Sequence, residues 1–257
     1  MMKRKDAAPY SGPPLVALSG QITAANAGEV EIIRRHLPRH VSLSRAEAGC
    51  LRFDAIPTDD PFVWQVDELF IDDAAFLAHQ TRTRASEWWQ ASHAIRRDFE
   101  RMAAEVTIRE ETAADHPAAL SLLAETFDGV DEARLVQMLR EDGDLTLSLV
   151  ADAAGTILGQ IGFSPISGTI DGLALAPLAV TPRLQGRGIG QALVREALAR
   201  ARDRIVVVLG KPEYYARFGF RPVAWESPYS GPFLQAIGPN LPRDAKIDHA
   251  PAFGALG

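Results

Sequence analysis

A glycine-rich turn in the C-terminal half of the chain is the first segment whose residues suggest chemistry. It follows an apolar strand and leads into a helical pattern. Alternating glycines leave room for backbone N–H groups at the start of a helix to converge on an anion. The turn therefore predicts a site for the pyrophosphate of a nucleotide-containing ligand. The predicted site residues are Leu178, Ala179, Val180, Gln185, Gly186, Arg187, Gly188, Ile189 and Gly190.

The spacing of these glycines excludes two common nucleotide motifs. A dinucleotide fingerprint requires Gly or Ala three residues after its second glycine, and Gln191 and Leu193 occupy those positions in the two possible frames. A phosphate-binding Walker loop requires Gly-Lys-Ser/Thr, whereas Gly210 and Lys211 are followed by Pro212. Neither a dinucleotide site nor an ATP or GTP loop is predicted.

Two motifs resemble those of the GNAT N-acyltransferase superfamily and occur in the same order as in that superfamily. The pattern Gln185-x-x-Gly188-x-Gly190 resembles its acetyl-coenzyme A loop. The stretch 214–220, Tyr-Tyr-Ala-Arg-Phe-Gly-Phe, follows the apolar run 205–209 and resembles its Tyr-x-x-x-Gly-Phe box. The similarity extends from about Val106 to the C-terminus. It implies an α/β GNAT domain over residues 104–257, with acetyl-coenzyme A as the acyl donor.

The same resemblance implies roles for particular residues. An acceptor amine would attack the thioester while a backbone N–H near Leu178 to Val180 holds the oxyanion. Tyr215 would then protonate the departing thiolate. Tyr214 is the alternative, because neighbouring helical residues point about 100° apart and only one can face the sulfur. No general base is readable, although chain position makes three carboxylates candidates: Glu125, Asp128 and Asp171.

Residues 15–103 predict a separate ferredoxin-like α+β domain, after a flexible tail at residues 1–14. Strands are expected at 15–23, 50–56 and 62–71, with the last two forming a hairpin. A helix follows the first strand and should be kinked or interrupted at Pro38. A second helical stretch begins at Asp72 and Asp73 and reaches Trp89. The order strand, helix, strand, strand, helix is typical of ferredoxin-like folds.

Residues of this first domain resemble the antibiotic biosynthesis monooxygenase (ABM) family, which includes quinol-monooxygenase-like members. The resemblance implies a dimeric α/β barrel type of assembly and a homodimer formed through this domain. His79 is the catalytic candidate of this domain, because its imidazole could accept a proton from a quinol. The alternative is that His79 is a structural residue of the helix, with its ring nitrogens hydrogen-bonded within the protein. The residues that carry the resemblance are Ala48, Gly49, Cys50, Phe53, Trp64, Glu68, Phe70, Phe76 and His79.

Composition restricts the partners of the protein. The 257 residues are 47% hydrophobic and carry 27 Lys and Arg against 33 Asp and Glu, a net charge of -6, which disfavours a generic nucleic-acid surface. A single cysteine, Cys50, cannot form an intrachain disulfide and fits the cytoplasm. No apolar stretch is long enough to span a membrane. His36 and His40 are separated by Pro38, so no metal site is predicted. The ABM resemblance implies chemistry without a flavin, and no flavin is predicted either.

These observations predict an acetyl-coenzyme A-dependent N-acyltransferase acting on an unidentified small-molecule or peptide amine. The ABM-like domain is expected to serve dimerisation or sensing. Two alternatives remain open: a bifunctional protein whose first domain is a cofactor-free monooxygenase, and a regulator that binds acyl-coenzyme A without catalysis. Residues 225–240 are expected, from position alone, to line the acceptor pocket.

Overall fold

The computed structural model describes residues 10 and 12–255. They form two compact units. One contains residues 12–106 with 153–156, and the other contains residues 107–152 and 157–255. We call them the N-terminal and the C-terminal unit. Most of the tail predicted at residues 1–14 lies outside the described residues.

The N-terminal unit contains a four-stranded antiparallel sheet covered by helices. Its strands are β1 (Leu15–Thr23), β2 (Cys50–Pro57), β3 (Val63–Phe70) and β4 (Arg96–Ala104). Its helices are α1 (Ala27–Arg45), α2 (Asp73–Arg84) and α3 (Glu87–Ser92). The strand order is β2-β3-β1-β4, which confirms the ferredoxin-like fold.

Local signals account for the helix starts of this unit. The side chains of Asn26 and Asp72 accept hydrogen bonds from backbone N–H groups in the first turns of α1 and α2. The predicted second helix is divided, because Ser86 caps a new helix by accepting from the N–H of Trp89 at 3.3 Å. Phe53, Phe70 and the apolar face of α1 pack into one core between sheet and helices.

Two expectations for this unit needed correction. Helix α1 continues through Pro38, so the predicted interruption was wrong. A proline inside a helix removes one backbone hydrogen bond, and here the burial of Ile33 and Leu37 in the core favours the helix on the N-terminal side of Pro38. Strand β4 was not predicted, because its residues are mostly exposed and charged. Its backbone nevertheless pairs with β1 along its whole length.

The C-terminal unit is built on a larger mixed sheet. Its strands are β5 (Thr107–Glu110), β6 (Leu147–Ala153), β7 (Thr156–Gly168), β8 (Gly172–Val180), β9 (Ile205–Leu209), β10 (Arg221–Pro222), β11 (Leu234–Ile237) and β12 (Ile247–His249). Its helices are α4 (His116–Phe127), α5 (Asp131–Glu141), α6 (Ile189–Ala201) and α7 (Pro212–Tyr215). The strand order is β10-β11-β9-β8-β7-β6-β5, with β12 paired to β7.

An ion-pair cluster fixes the first strand of this unit. Arg109 donates to Asp115 at 2.7 Å and to Asp152 at 2.6 Å, so β5 is joined to β6 and to the turn that precedes α4. Asp115 also accepts from the backbone N–H of Thr112 at 2.8 Å. The hydrogen bonds from Arg109 hold the pKa of Asp115 well below its usual range.

Strands β8 and β9 lie parallel, and their pairing is short. It runs from Gly172 opposite Ile205 to Leu175 opposite Val208, yet β8 continues to Val180. On its other side β8 stays paired with β7 as far as Val180 opposite Gly159. Beyond Leu175 the two parallel strands therefore separate, and a gap opens in the middle of the sheet.

In the described part of the chain, no helix is both long enough and apolar enough to cross a membrane.

Candidate functional site

A cleft of about 320 Å³ occupies the gap between β8 and β9. This volume is in the range of about 300–1,000 Å³ that is typical of small-molecule sites. The side chains that line the cleft are predominantly apolar and come from both strands, from α4, α5 and α7, and from the end of the unit. They belong to Phe127, Glu132, Leu135, Ala174, Leu175, Ala176, Pro177, Leu178, Val207, Val208, Leu209, Tyr215, His249 and Phe253.

The glycine-rich turn has the backbone that its sequence predicts. Gly186 and Gly188 have φ angles of +78° and +94°, which residues with side chains rarely adopt. Helix α6 begins directly after Gly188, and no side chain caps it. The amide of Gln185 donates to the carbonyl of Val180 at 3.1 Å and thereby ties the turn to the end of β8. Free N–H groups at a helix start suit a phosphate oxygen.

The third glycine has a different role from the other two. A Cβ atom on Gly190 would lie 2.9 Å from the hydroxyl oxygen of Tyr214 and 3.9 Å from Leu178. Gly190 is thus required by the close approach of the tyrosine as much as by an anion. The contact also brings the helix start next to the strand that lines the cleft.

The side chains of the predicted loop residues differ in burial and in their position relative to the cleft. The side chains of Ala179 and Ile189 are buried in the core, so that only their backbone can face a ligand. Leu178 lines the cleft itself. Arg187 is half-buried at the turn.

Tyr215 lies at the cleft, whereas Tyr214 faces the start of α6. The ring of Tyr215 is 8% exposed and packs against Phe220 at 5.6 Å between ring centroids. Gly210 permits this position, because a Cβ there would lie 2.3 Å from the ring of Tyr215. Burial raises the pKa of Tyr215, and the neighbouring Tyr214 raises it further. Tyr215 therefore keeps its proton at neutral pH.

Two polar side chains of the cleft were not selected by sequence reasoning. Glu132, in the first turn of α5, makes no hydrogen bond or ion pair with any described residue. His249, on β12, also faces the cleft, and its buried Nδ1 atom has no partner. No motif marks either residue. By contrast, the proposed bases Glu125, Asp128 and Asp171 are not in the cleft lining.

No residue of the segment 225–240 lines the cleft; the segment packs behind residues that do. Trp225 is buried, and its indole N–H donates to the carbonyl of Pro242 at 3.2 Å. Tyr229 packs edge-on against His249, with 5.1 Å between ring centroids. The lining near the end of the unit comes instead from His249 and Phe253.

His79 of the N-terminal unit lies inside a network of buried polar groups. Its Nδ1 is 2.9 Å from Glu47, and its Nε2 is 3.3 Å from the hydroxyl of Thr83. Arg82 donates to Glu47 at 2.6 Å. The ring is 2% exposed, and burial lowers the pKa of His79. The structure thus surrounds the predicted base with protein partners on both ring nitrogens.

Glu68, on strand β3, lies next to the same network on the side of the sheet. Its Oε2 atom is 3.7 Å from Nε2 of His79 and has no hydrogen-bond partner. Burial and, to a smaller extent, the charge of Glu47 raise the pKa of Glu68 to about 8, against the opposing effect of Arg82. No group of three or more His, Cys, Asp or Glu side chains within residues 10 and 12–255 is arranged to hold a metal ion.

Comparisons with known protein families find two matching domain models. The model described as acetyltransferase (GNAT) domain matches residues 144–222, and the model described as antibiotic biosynthesis monooxygenase matches residues 16–92.

Relatives in sequence cover the C-terminal part. The uncharacterized N-acetyltransferase YhbS of Escherichia coli K12 is 42% identical over 120 residues, which are 44% of this chain and 72% of YhbS. The uncharacterized N-acetyltransferase YjhQ of the same strain is 39% identical over 112 residues, which are 40% of this chain and 62% of YjhQ.

Two solved structures are similar to the same part. A GNAT family acetyltransferase from Brucella melitensis, in complex with acetyl-CoA, is 33% identical with a TM-score of 0.52; the match covers 58% of this chain and 98% of that one. The structure of YhbS from Escherichia coli in complex with CoA is 32% identical with a TM-score of 0.55, and covers 61% of this chain and 96% of that one.

The buried Glu68 predicts a pH dependence of stability. Its pKa is raised to about 8 in the folded protein, whereas an unfolded glutamate has a pKa of about 4.3. Between these values the unfolded chain loses a proton that the folded one keeps, so the free energy of unfolding falls as pH rises. One pKa unit corresponds to about 1.4 kcal/mol. We expect Glu68→Gln to reduce this loss, measured by urea unfolding from pH 5 to pH 8.

The matched control is Glu31→Gln, which neutralises an exposed glutamate of α1. It should follow the wild-type curve. Parallel curves for wild type and Glu68→Gln would show that Glu68 is already ionised in the folded protein.

Proposed function

The chain belongs to the GNAT acetyltransferase family and carries an ABM domain, and we propose that it transfers the acetyl group of acetyl-coenzyme A to an amine. The observation that carries this proposal is the gap between β8 and β9, with Tyr215 in the gap and the uncapped start of α6 beside it. Two similar structures contain acetyl-CoA and CoA respectively.

The cofactor is expected to bind along β8 and at the start of α6. The pyrophosphate would accept hydrogen bonds from backbone N–H groups at the start of α6, where the helix dipole adds a favourable field. The thioester arm would enter the gap, because β8 has no strand partner on that side beyond Leu175. There the backbone N–H groups near Leu178 to Val180 are candidates to hold the oxyanion.

Transfer needs one bond to form and one to break. The amine nitrogen attacks the thioester carbon, the oxyanion collapses, and the C–S bond breaks. Tyr215 gives its proton to the sulfur as the C–S bond breaks; its raised pKa keeps the phenol protonated at neutral pH until that step. The sulfur therefore leaves as a thiol, which is a better leaving group than the thiolate and does not attack the new amide.

For the ABM domain we propose a role in homodimerisation. Strand β4 is the outer strand of its sheet, and Phe99 and Met102 on β4 are 36% and 43% exposed. Exposed apolar side chains on an edge strand favour pairing with a second copy. The enclosure of His79 by Glu47, Glu68 and Thr83 supports this structural role over that of a monooxygenase base. Cys50 is buried and forms no disulfide with any described residue, in keeping with the expected cytoplasmic location.

Binding of the cofactor tests the loop. Titration of the purified protein with acetyl-coenzyme A in a calorimeter should show saturable binding. Gly188→Glu should raise the dissociation constant about ten-fold or more, or about 1.4 kcal/mol, because it places a carboxylate at the phosphate site. Gly143→Glu is the control, since Gly143 also has a positive φ (+79°) and open space around it. Equal affinity in wild type and Gly188→Glu would refute the loop assignment.

The acid role of Tyr215 is tested by removing single hydroxyl groups. Tyr215→Phe should lower kcat by about 10²-fold or more, as general acids commonly contribute, while the affinity for acetyl-coenzyme A stays unchanged. Tyr214→Phe is the matched control and should retain turnover. Loss of turnover in Tyr214→Phe alone would move the role to that residue. Full activity in both variants would favour a protein that does not use a tyrosine acid.

Dimerisation is tested by sedimentation velocity of the full chain. The wild type should sediment as a dimer, and Met102→Glu should shift it to the monomer because a buried carboxylate opposes the contact. Met102→Leu, which preserves the apolar surface, should remain dimeric. A monomeric wild type would leave the ABM domain without the proposed role.

A further inference from the structure

The cleft beside Tyr215 has two walls of different origin. Strands β8 and β9 form one wall together with Tyr215. The other wall comes from the end of α4, the first turns of α5 and the segment that begins on β12. Its side chains are Phe127, Glu132, Leu135, His249 and Phe253. The proposed cofactor would follow the strand wall, so the second wall is left to face the acceptor.

The second wall is apolar except for one carboxylate and one imidazole. Leu135 is buried, while Phe127 is 39% exposed at the rim. Glu132 is half-buried and has no hydrogen-bond or ion-pair partner within residues 10 and 12–255. A carboxylate at an apolar surface attracts a cation more strongly than it would in water, because screening is weaker there. This wall therefore favours a ligand with one positive charge and an apolar body.

His249 adds no positive charge to this wall. Burial lowers the pKa of His249, and only the charge of Asp248 opposes that shift. Its buried Nδ1 atom has no hydrogen-bond partner in the described part of the chain, so a second ring proton would leave an unsatisfied N–H there. The ring is held between Tyr229 and Phe253, at 5.1 Å and 5.2 Å. At neutral pH the imidazole is uncharged and does not repel an ammonium group.

We propose that the acceptor is a primary amine on an apolar, uncharged body, and that Glu132 binds its ammonium group beside Tyr215. This inference rests on the proposed acetyl transfer and names the substrate class of the same cleft. The apolar body would pack on Phe127 and Leu135, and aromatic rings also attract an ammonium group at their faces.

The proton balance of the transfer agrees with this arrangement. The ammonium group loses two protons when it becomes an amide N–H. One leaves through the carboxylate of Glu132 to solvent before attack, which exposes the nitrogen lone pair. The other leaves after the C–N bond forms. Tyr215 supplies the proton of the coenzyme A thiol and takes up that second one, so that it ends the cycle protonated.

A simpler role for Glu132 is to stabilise the start of α5. Acidic residues in the first turn of a helix interact favourably with its dipole. Asp131 lies in the same turn, is exposed, and is not part of the cleft lining. The two residues share the helix position and the charge, and only Glu132 faces the cleft. Asp131→Asn is therefore a matched control for Glu132→Gln.

The experiment measures coenzyme A release with 2-phenylethylamine, glycine and the polycationic amine spermidine as acceptors. The wild type should show the highest kcat/KM with 2-phenylethylamine. Glu132→Gln should raise KM for that amine about ten-fold or more, equivalent to about 1.4 kcal/mol, and leave the affinity for acetyl-coenzyme A unchanged. Asp131→Asn should behave as wild type in both measurements.

Several outcomes would overturn the proposal. One is a preference for glycine or spermidine; another is an unchanged KM in Glu132→Gln. Turnover with none of the three amines, while acetyl-coenzyme A still binds, would also exclude this acceptor class. A wild type that does not bind acetyl-coenzyme A would instead refute the proposed function, so the two failures are distinguishable.

Discussion

The separation of β8 from β9 is the constraint on which the C-terminal unit depends. Four residues of each strand pair in parallel, and beyond Leu175 the backbone groups of β8 on that side have no strand partner. Unpaired backbone groups inside a protein are costly unless a ligand or water satisfies them. The gap therefore creates a place where an extended ligand can take the position of a strand. The helix start after Gly188 lies next to the same edge.

Close packing around the two adjacent tyrosines gives them different surroundings. Tyr214 reaches Gly190 at the start of α6, and Tyr215 packs over Gly210 at the end of β9. In both places a glycine leaves the space that the ring or hydroxyl occupies. The pair of glycines thus sets which phenol faces the cleft. The glycine-rich turn and the tyrosine box are therefore in direct contact, although Gly190 and Tyr214 are 24 positions apart in the sequence.

The N-terminal unit uses its polar residues differently. Glu47 is hydrogen-bonded to both His79 and Arg82, whereas the buried Oε2 atom of Glu68 has no hydrogen-bond partner among the described residues, and Glu68 stays protonated at neutral pH. Partly satisfied buried networks respond to pH because one member must change its charge. In the cleft of the C-terminal unit, by contrast, Glu132 has no hydrogen-bond or ion-pair partner among the residues that the structure describes. An unpartnered carboxylate at a cleft is available to a ligand, whereas a paired one stabilises the fold.

Sequence alone was sufficient for features that are encoded by consecutive residues. The turn 185–190, the tyrosine box, the helix start at Asp72 and both domain families follow from local spacing, because backbone conformation at such positions depends on near neighbours. Tertiary structure was needed for β4 and for the continuous helix through Pro38, since packing and strand pairing overrode local preference there. It was also needed for the second wall of the cleft. Glu132 and His249 are 117 residues apart, and the fold alone brings them together.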